Sequence, residues 1–243
     1  AGTLVFDVKC GRGAFMKTHG DALALASALV DGAKGAGRKA SAIVTSMDEP
    51  LGHAVGNALE VAEAMDVLRG VGRLPADVVE LSVEFAAMMV SLAKGFDIDK
   101  SRLRCRENLS NGRAYSVFSE MVRLQGGDLS LFESRFRREG AIPHMDLKVE
   151  RSGYVADIDA ECVARVAFML GAGRSRTDDA IDPAAGVLLK VTHGDRVSPG
   201  QPVARLFAQV RPDSLEGASA ALAAAFSFSN EPPPPRKLFL SRT

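Results

Sequence analysis

The chain has 243 residues, of which 47% are hydrophobic and 25% charged. This composition is typical of a globular protein and excludes a wholly disordered chain. Thirty Lys and Arg residues balance thirty Asp and Glu residues, so the basic excess of nucleic-acid or anionic-membrane binders is absent. The longest apolar run, residues 78–92, is interrupted by Glu80 and Glu84, which argues against a membrane span.

The cysteine content favours a reducing compartment. Cys10, Cys105 and Cys162 are few, odd in number and not arranged as a CxxC motif. This pattern is typical of reduced thiols in a cytoplasmic protein, and it predicts neither a disulfide framework nor a zinc site.

The first 45 residues have the pattern of a βαβ unit. Residues 4–8 are apolar enough for a central strand, and the glycines of residues 11–13 end it. Thr18 and Asp21 match a capping box at the start of a helix, and residues 40–45 indicate a second buried strand. The pattern predicts two parallel strands joined by a right-handed crossover.

The middle of the chain is predicted to be helical over residues 57–68, 76–94, 101–109 and 114–124. The inner stripe of the second of these helices is predicted to consist of Val79, Val83, Ala86, Ala87 and Val90. Residues 126–143 are polar and without a clear period, and we expect a surface loop there.

After Pro143 the pattern changes to short alternating segments with tight turns. Strands are expected at 147–150, at 154–158 and between 186 and 200, with a helix over 160–170. Two domains are therefore predicted, residues 1–143 and residues 144–243. The fold class is α/β: a partial mixed or parallel α/β lobe, then a small α+β lobe of the barrel-sandwich-hybrid type. Pro232–Pro235 indicates a polyproline linker or terminal arm on the surface.

The segment 186–206 is similar to half of a biotinyl or lipoyl hammerhead. A carrier domain of that kind presents a lysine on the hairpin that follows, but residues 207–210 here are Phe, Ala, Gln and Val. We therefore expect the second lobe to be structural and not a swinging arm.

The glycine turn at residues 11–18 resembles a nucleotide-binding loop only superficially. Met16 stands where both a phosphate loop and a dinucleotide fingerprint require glycine. We interpret the segment as a turn at the carboxyl end of a strand, which is still the edge where open α/β sheets bind ligands.

Other chemistry-bearing residues give weaker signals. The four histidines are scattered, and no pair has metal-ligand spacing. Glu60 and Glu63 lie side by side on a helix, which favours a solvated acidic face. Carbonyls of the preceding loop could alternatively join Glu63 in binding a hard cation.

Two long motifs together resemble the pyrimidine-nucleoside and thymidine phosphorylases. Residues 4–18, LVFDVKCGRGAFMKT, are similar to that family's DVKxGxGAFM signature. Residues 47–64, MDEPLGHAVGNALEVAEA, are similar to its DxPLGxAVGNALEVxEA block, and residues 170–174 and 186–203 resemble its C-terminal lobe. The resemblance covers nearly the whole chain in register.

The resemblance implies reversible phosphorolysis of thymidine, uridine or both. Inorganic phosphate is the co-substrate, no organic cofactor is needed, and the products are the free base and a pentose 1-phosphate. The family's homodimers, its role in cytoplasmic nucleoside salvage and the absence of nucleic-acid or membrane partners are implied in the same way. No catalytic residue is assigned to this chain, because the family's phosphate ligands and main base ligands lie upstream of its DVK signature.

The residues that the resemblance does transfer are few. Phe15 matches the aromatic residue of GAFM that lines the base pocket. Leu51 and Ala54 match residues whose carbonyls bind a potassium ion in some members, and Glu63 matches the carboxylate ligand. The competing interpretation is that Phe15 is a core residue and that the cation site is not used.

Several alternatives remain open at this stage. The chain corresponds to the C-terminal part of a phosphorylase, so by itself we expect little or no activity; a companion polypeptide would then supply the upstream part. The alternative is a catalytically inactive binding or interaction remnant of the scaffold. A nucleoside-monophosphate phosphorylase and an anthranilate phosphoribosyltransferase-like enzyme are further candidates related in fold.

Overall fold

A computed structural model describes residues 1–137, 142–174 and 176–243. In this part of the chain, eight α-helices, one π-helical turn and three sheets, none closed into a barrel, form a mixed α/β fold. The α/β fold class is confirmed. In chain order the elements are β1 (Thr3–Cys10), α1 (His19–Gly35), β2 (Lys39–Ser46), β3 (Ala54–Val55), α2 (Asn57–Arg69), α3 (Ala76–Lys94), α4 (Ile98–Ser110), α5 (Arg113–Leu124), α6 (Leu129–Phe136), β4 (His144–Lys148), β5 (Gly153–Ile158), α7 (Ala160–Ala167), the π-helical turn (Phe168–Ala172), β6 (Gly186–Leu189), β7 (Arg196–Val197), β8 (Pro202–Phe207), α8 (Ser214–Ala223), β9 (Phe226–Ser229) and β10 (Phe239–Arg242).

The chain divides into two compact units that alternate along the sequence. The first unit comprises residues 1–48, 67–116 and 236–243, and the second comprises residues 49–66 and 117–235. The second unit thus includes residues 49–66, which the sequence analysis placed in the first domain. The predicted domains 1–143 and 144–243 stay a prediction.

The predicted parallel strand pair of the first unit is confirmed. Strands β1 and β2 pair in parallel, from Thr3 opposite Lys39 to Cys10 opposite Ser46. The connecting helix α1 begins as expected, because the Thr18 hydroxyl accepts a hydrogen bond from the Asp21 backbone N–H. The even-numbered residues of β1, together with Ala40, Ala42 and Val44 of β2, contribute to an apolar cluster with α1.

The end of the chain adds a strand to this sheet that the sequence analysis did not predict. Strand β10 pairs with β2 in antiparallel orientation, which gives the order β1-β2-β10. Just outside the strand, Ser46 N–H donates to the Leu238 carbonyl and Thr243 N–H to the Ala42 carbonyl. The polyproline segment is therefore a linker that leads to this strand.

Helix α3 has the predicted bounds but a different buried face. Val83 and Ala87 are buried as expected, whereas Val79, Ala86 and Val90 are only partly buried. The other buried residues of the helix are Leu81, Glu84 and Met88. Glu84 is buried because it is an ion-pair partner, which hydrophobic periodicity cannot indicate.

Glu84 is held by two arginines that are distant in sequence. Its carboxylate accepts hydrogen bonds from Arg102 Nε and Nη2 at 2.7 and 2.9 Å, and Arg242 Nη1 lies 2.6 Å from Oε1. The hydrogen bond from Arg102 is the main reason why the pKa of Glu84 is lowered. Through these two ion pairs, Glu84 links α3 to α4 and to strand β10.

The second unit contains two antiparallel sheets, with strand orders β3-β6-β8-β4 and β7-β5-β9. Its core is a cluster of nineteen buried apolar residues from the strands, helices and connecting segments of this unit. The loop expected over residues 126–143 is wrong for its central part, where α6 spans Leu129–Phe136. The Asp128 side chain accepts from Leu131 N–H and starts that helix. Residues 138–141 of the expected loop lie outside the described residues.

The segment after β8 is held by backbone hydrogen bonds to a buried carboxylate. Gln209 N–H and Val210 N–H both donate to Oδ2 of the buried Asp182, at 2.7 and 2.8 Å. The backbone is therefore fixed directly after β8, and the interpretation of this lobe as structural stays a prediction.

A membrane span was argued against from the apolar run at residues 78–92. In the described part of the chain, none of the helices combines the length and the hydropathy that a membrane-spanning segment needs.

Candidate functional site

The glycine loop after β1 is built on the segment that follows β2. Gly11 has φ 125°, and a Cβ atom there would lie 2.5 Å from Asp48 Oδ1, so only glycine fits. Arg12 N–H donates to Asp48 Oδ1 at 3.0 Å, and Gly13 N–H donates to the Met47 carbonyl at 2.8 Å. The two loops at the carboxyl ends of β1 and β2 are thus hydrogen-bonded to each other.

The backbone of this loop does not form a phosphate cradle. Gly11 N–H donates to the Met16 carbonyl, and Ala14 N–H donates to the Gly11 carbonyl, at 3.0 and 3.1 Å. With those of Arg12 and Gly13, four successive N–H groups therefore have acceptors within the protein. A phosphate loop instead turns its N–H groups toward the ligand, so the interpretation as a glycine turn agrees with the geometry.

Phe15 projects from the loop into solvent. Its side chain is 94% exposed, whereas Ala14 is buried and Met16 packs partly against the apolar cluster under α1. The neighbours thus anchor the loop, and the phenyl ring is presented at the carboxyl end of β1. The competing interpretation of Phe15 as a core residue is wrong.

A polar triad on the same two strands was missed from the sequence. Lys9 Nζ lies 2.7 Å from Asp7 Oδ2 and donates to Thr45 Oγ1 at 3.0 Å. The Thr45 hydroxyl, which is fully buried, donates to Asp7 Oδ1 at 2.5 Å. The available signal was the alternation in DVK, which places Asp7 and Lys9 on one face of the strand, and the register, which places Thr45 opposite Lys9.

The second candidate site lies in the second unit, where a loop leads into helix α2. Glu63 Oε1 accepts a hydrogen bond from His53 N–H at 2.8 Å, and Glu60 Oε1 accepts from Gly56 N–H at 3.0 Å. The Glu63 side chain is only 14% exposed. The expectation of a solvated acidic face is therefore wrong for Glu63, because this carboxylate holds the preceding loop.

The strand pairing determines where the Ala54 carbonyl can point. Ala54 lies opposite Leu188 in the β3–β6 pair, and Leu189 N–H donates to the His53 carbonyl at 2.7 Å. Hydrogen-bonded and non-hydrogen-bonded pairs alternate in antiparallel strands. Ala54 is therefore a non-hydrogen-bonded position, and its carbonyl is directed away from β6 toward the open edge of the sheet.

These residues fit a hard monovalent cation in the chemistry of their donors. Leu51 and Ala54 offer backbone carbonyls, and Glu63 offers a largely buried carboxylate ten residues after His53 in the same loop and helix. Oxygen donors of this kind are what hard cations require. In the described part of the chain, no cluster of three or more His, Cys, Asp or Glu side chains could hold a metal ion. A site here would therefore depend on backbone carbonyls.

His53 is a further residue of this region that sequence reasoning did not single out. Its ring is buried, and its Nδ1 lies 3.7 Å from Glu63 Oε1. Spacing alone could not pair His53 with Glu63, because the pair forms only when the loop folds back on the helix. Leu51, Ala54 and Glu63 belong to the second unit and Phe15 to the first.

Two family models match the chain in separate segments. The model described as "Glycosyl transferase family, a/b domain" matches residues 1–115. The model described as "Pyrimidine nucleoside phosphorylase C-terminal domain" matches residues 154–229.

Three curated proteins that are similar to this chain share one name. The pyrimidine-nucleoside phosphorylase of Bacillus subtilis (strain 168) is 41% identical over 209 residues, which are 86% of this chain and 48% of that protein. The enzyme of the same name from Geobacillus stearothermophilus is 39% identical over 208 residues, covering 85% of this chain and 48% of the relative. The enzyme of that name from Staphylococcus aureus (strain USA300) is 40% identical over 202 residues, which are 83% of this chain and 46% of the relative. The chain spans about half the length of these curated relatives.

Proposed function

The chain belongs to the pyrimidine-nucleoside phosphorylase family, and from this premise we propose that it takes part in the phosphorolysis of pyrimidine nucleosides. In the proposed reaction, phosphate displaces the base of thymidine or uridine at C1′ and leaves a pentose 1-phosphate. The family is one of glycosyl transferases, and its named members favour this proposal over an inactive remnant of the scaffold. Since the chain spans about half of those relatives, we propose that it acts as the C-terminal part of the enzyme.

The observation that carries the proposal is the exposure of Phe15. A phenyl ring that is 94% exposed gains stabilisation when a flat apolar surface covers it. A pyrimidine base offers such a surface, and the carboxyl end of a parallel strand is where α/β sheets bind ligands. The hydrogen bonds of Arg12 and Gly13 fix the loop before the base arrives, which lowers the entropic cost of binding.

We assign the chemistry of the displacement to no side chain of this chain. Phe15 would hold the base in place while phosphate attacks the sugar, which is a contribution of positioning. A companion polypeptide that carries the phosphate ligands, a homodimeric assembly and a cytoplasmic location remain part of the proposal.

A segment exchange tests the function directly. The 209-residue segment of the Bacillus subtilis relative that aligns with this chain is replaced by the corresponding segment of this chain. The hybrid is assayed for release of thymine and uracil with and without phosphate, beside the isolated chain. We expect phosphate-dependent release by the hybrid. A folded hybrid that releases no base would contradict the proposal.

Within the active hybrid, Phe15→Ala tests the role of the ring. Stacking of a base on an aromatic side chain contributes about 1–3 kcal/mol, so kcat/KM for both nucleosides should fall roughly tenfold to a hundredfold. Phe15→Tyr retains the ring and should retain most of the activity. Leu103→Ala removes another exposed apolar side chain and serves as the matched control. Equal activity of Phe15→Ala and Leu103→Ala would remove Phe15 from the site.

The potassium site is the second element of the proposal. Bound there, the ion would supply a fixed positive charge that Glu63 and the carbonyls of Leu51 and Ala54 share. Binding would add to the hydrogen bond by which Glu63 already holds the loop, and the residues of the loop would carry no chemical step.

Thermal unfolding of the isolated chain in potassium chloride and in choline chloride tests the site without an activity assay. We expect potassium to raise the unfolding temperature of the wild-type chain and to have no effect on Glu63→Gln. The amide of that variant can still accept the hydrogen bond from His53 N–H but lacks the charge. Glu60→Gln, one turn earlier on α2, should retain the response. A potassium response that survives Glu63→Gln would exclude the assigned site.

A further inference from the structure

The helical hairpin of the first unit contains a cavity that has no role in the proposed phosphorolysis. It has a volume of about 410 Å³ and lies between α3 and α4. Helix α3 contributes Val90 and Lys94, which are four residues apart and therefore lie on one face. The bend between the helices contributes Phe96. Helix α4 contributes Ser101, Arg104, Cys105 and Asn108, whose spacing of three, four and seven residues also defines one face.

The bend beside the cavity has a conformation fixed by local hydrogen bonds. Gly95 ends α3 with φ 71°, and the Asp97 side chain accepts from Lys100 N–H at the start of α4. The Ser101 hydroxyl donates to the Asp97 carbonyl at 2.8 Å, and the Ser91 hydroxyl donates to the Phe96 carbonyl at 2.7 Å. These bonds fix the backbone of the bend that carries Phe96, whose side chain is about half exposed.

The polar side chains of the cavity lack partners. Within residues 1–137, 142–174 and 176–243, no hydrogen bond or ion pair engages the side chains of Lys94, Arg104 or Asn108. Arg102 of the same helix shows the contrast, because its guanidinium is paired with Glu84 and Asp99. Two cations and an amide therefore adjoin one small cavity without an anion to neutralise them.

Apart from Ser101, whose hydroxyl is bonded to the Asp97 carbonyl, the remaining wall is apolar and uncharged. Val90 and Phe96 are hydrocarbon surfaces, and burial raises the pKa of the Cys105 thiol, so at neutral pH this side chain is a small apolar group. An apolar floor with a few convergent polar groups is the usual character of a small-molecule site.

We propose that this cavity binds a small aromatic carboxylate. The ring would lie against Phe96, Val90 and Cys105, and the carboxylate would accept hydrogen bonds from Lys94 and Arg104. The apolar wall favours such a ligand over inorganic phosphate, which offers no surface for burial, and the two cations favour it over a neutral ring. The inference does not depend on the proposed phosphorolysis, since no residue of the cavity has a role there.

The charge requirement is tested with two ligands of one shape. Calorimetric titration of the purified chain with 2-naphthoate should give saturable binding at one site, and 2-naphthamide should bind at least about tenfold more weakly. A charge-assisted hydrogen bond contributes about 1.5–3 kcal/mol, which corresponds to at least that factor. Equal binding of the two compounds, or no binding of either, would overturn the proposal.

Variants at exposed positions locate the site. Lys94→Gln combined with Arg104→Gln should weaken 2-naphthoate binding at least about tenfold and leave 2-naphthamide binding unchanged. Lys100→Gln combined with Arg106→Gln removes two cations of α4 that do not line the cavity and is the matched control. An equal loss in both double variants would show a general charge effect and would overturn the assignment.

A measurement on the unaltered chain gives an independent location. Iodoacetamide alkylation is followed for each cysteine by mass spectrometry, with and without 2-naphthoate. We expect 2-naphthoate to slow the alkylation of Cys105 severalfold and to leave Cys162 unaffected. Equal rates at Cys105 with and without saturating 2-naphthoate would place the ligand elsewhere.

Discussion

The two units of the chain are stabilised in different ways. In the first, a strand from the last eight residues completes the sheet that the first residues begin, and Glu84 joins Arg102 and Arg242 across it. In the second, antiparallel sheets enclose one cluster of nineteen buried apolar residues. The first unit thus combines a smaller apolar cluster with a few directional contacts between distant segments, whereas the second buries the larger apolar cluster.

The buried carboxylates of the two units show the same contrast. Glu84 is paired with guanidinium groups, so removal of one partner leaves charge in a poorly solvated position. Asp182 is held by backbone N–H groups of Ala184, Gln209 and Val210. These donors belong to the chain itself and do not depend on any other side chain.

The largest effect is expected in the core of the second unit. Leu206 is fully buried in the apolar cluster, and Leu206→Ala should lower the free energy of unfolding by about 3–4 kcal/mol through lost burial and the cavity that remains. Urea unfolding measures the change, and hydrogen exchange resolved by peptide shows whether residues 117–235 are affected first. Leu103→Ala, at an exposed position of α4, should cost less than about 0.5 kcal/mol. Equal costs would refute the assigned core.

A backbone contact in the second unit gives the next largest effect. Gly56 has φ 140°, and a Cβ atom there would lie 2.4 Å from the Ala185 carbonyl oxygen, which is backbone and cannot rotate away. Gly56→Ala should therefore cost about 3 kcal/mol. The control is Gly37→Ala, where φ is 72° but nothing lies within 4 Å, and about 1 kcal/mol is expected. If the two variants were equally stable in urea, the close approach would be absent.

A smaller effect is expected when the charged contacts of the first unit are removed. Glu84→Gln keeps the shape of the side chain but leaves Arg242 without this anion and Arg102 with Asp99 alone, and the cost should be about 2 kcal/mol. Glu80→Gln, at an exposed position on the same helix, should leave the free energy of unfolding within about 0.5 kcal/mol of the wild-type value. Hydrogen exchange should localise the loss to residues 67–116 and 236–243.

The comparison of the wild-type chain with Glu84→Gln also tests the pH dependence of the contact between Glu84 and Arg102. The pKa of Glu84 is lowered in the folded state, chiefly by the hydrogen bond from Arg102, so the folded state binds fewer protons than the unfolded state near that pKa. The stabilisation is therefore complete above the ordinary glutamate pKa of about 4.3 and is lost as the pH falls through the folded value. The difference between wild type and Glu84→Gln should be largest at pH 7 and should shrink at pH 3. A difference that grows toward acid would contradict this linkage.

Local signals predicted much of the first unit. The capping pair Thr18 and Asp21 and the glycines that follow β1 mark the βαβ unit, and helix α3 has the predicted bounds. Helix α6 was missed although Asp128 is an N-cap residue, because the glycines and charges around it outweighed that single signal. Strand β10 was missed because a segment of four residues has no strand character apart from the partner strand β2 that it joins.

For the candidate sites, the sequence supplied residue types and the fold supplied their environment. The motif resemblance singled out Phe15, but its exposure follows from the anchoring of Ala14 and Met16. Glu63 was expected either on a solvated face or at a cation, and the bond from His53 N–H decided that it holds the loop. The predicted cation ligands stay a prediction.

The sequence by itself determined the family, the α/β class and the helices with strong caps, because these depend on residues that are neighbours along the chain. The tertiary structure decided which buried positions are charged, which strand completes the first sheet and which cations of α4 find a partner. Arg102 and Arg104 look alike in the sequence, yet only Arg102 meets Glu84. The physical reason is that ion pairs, strand register and cavities depend on distances between segments far apart in the chain. The local propensities of residues do not determine those distances.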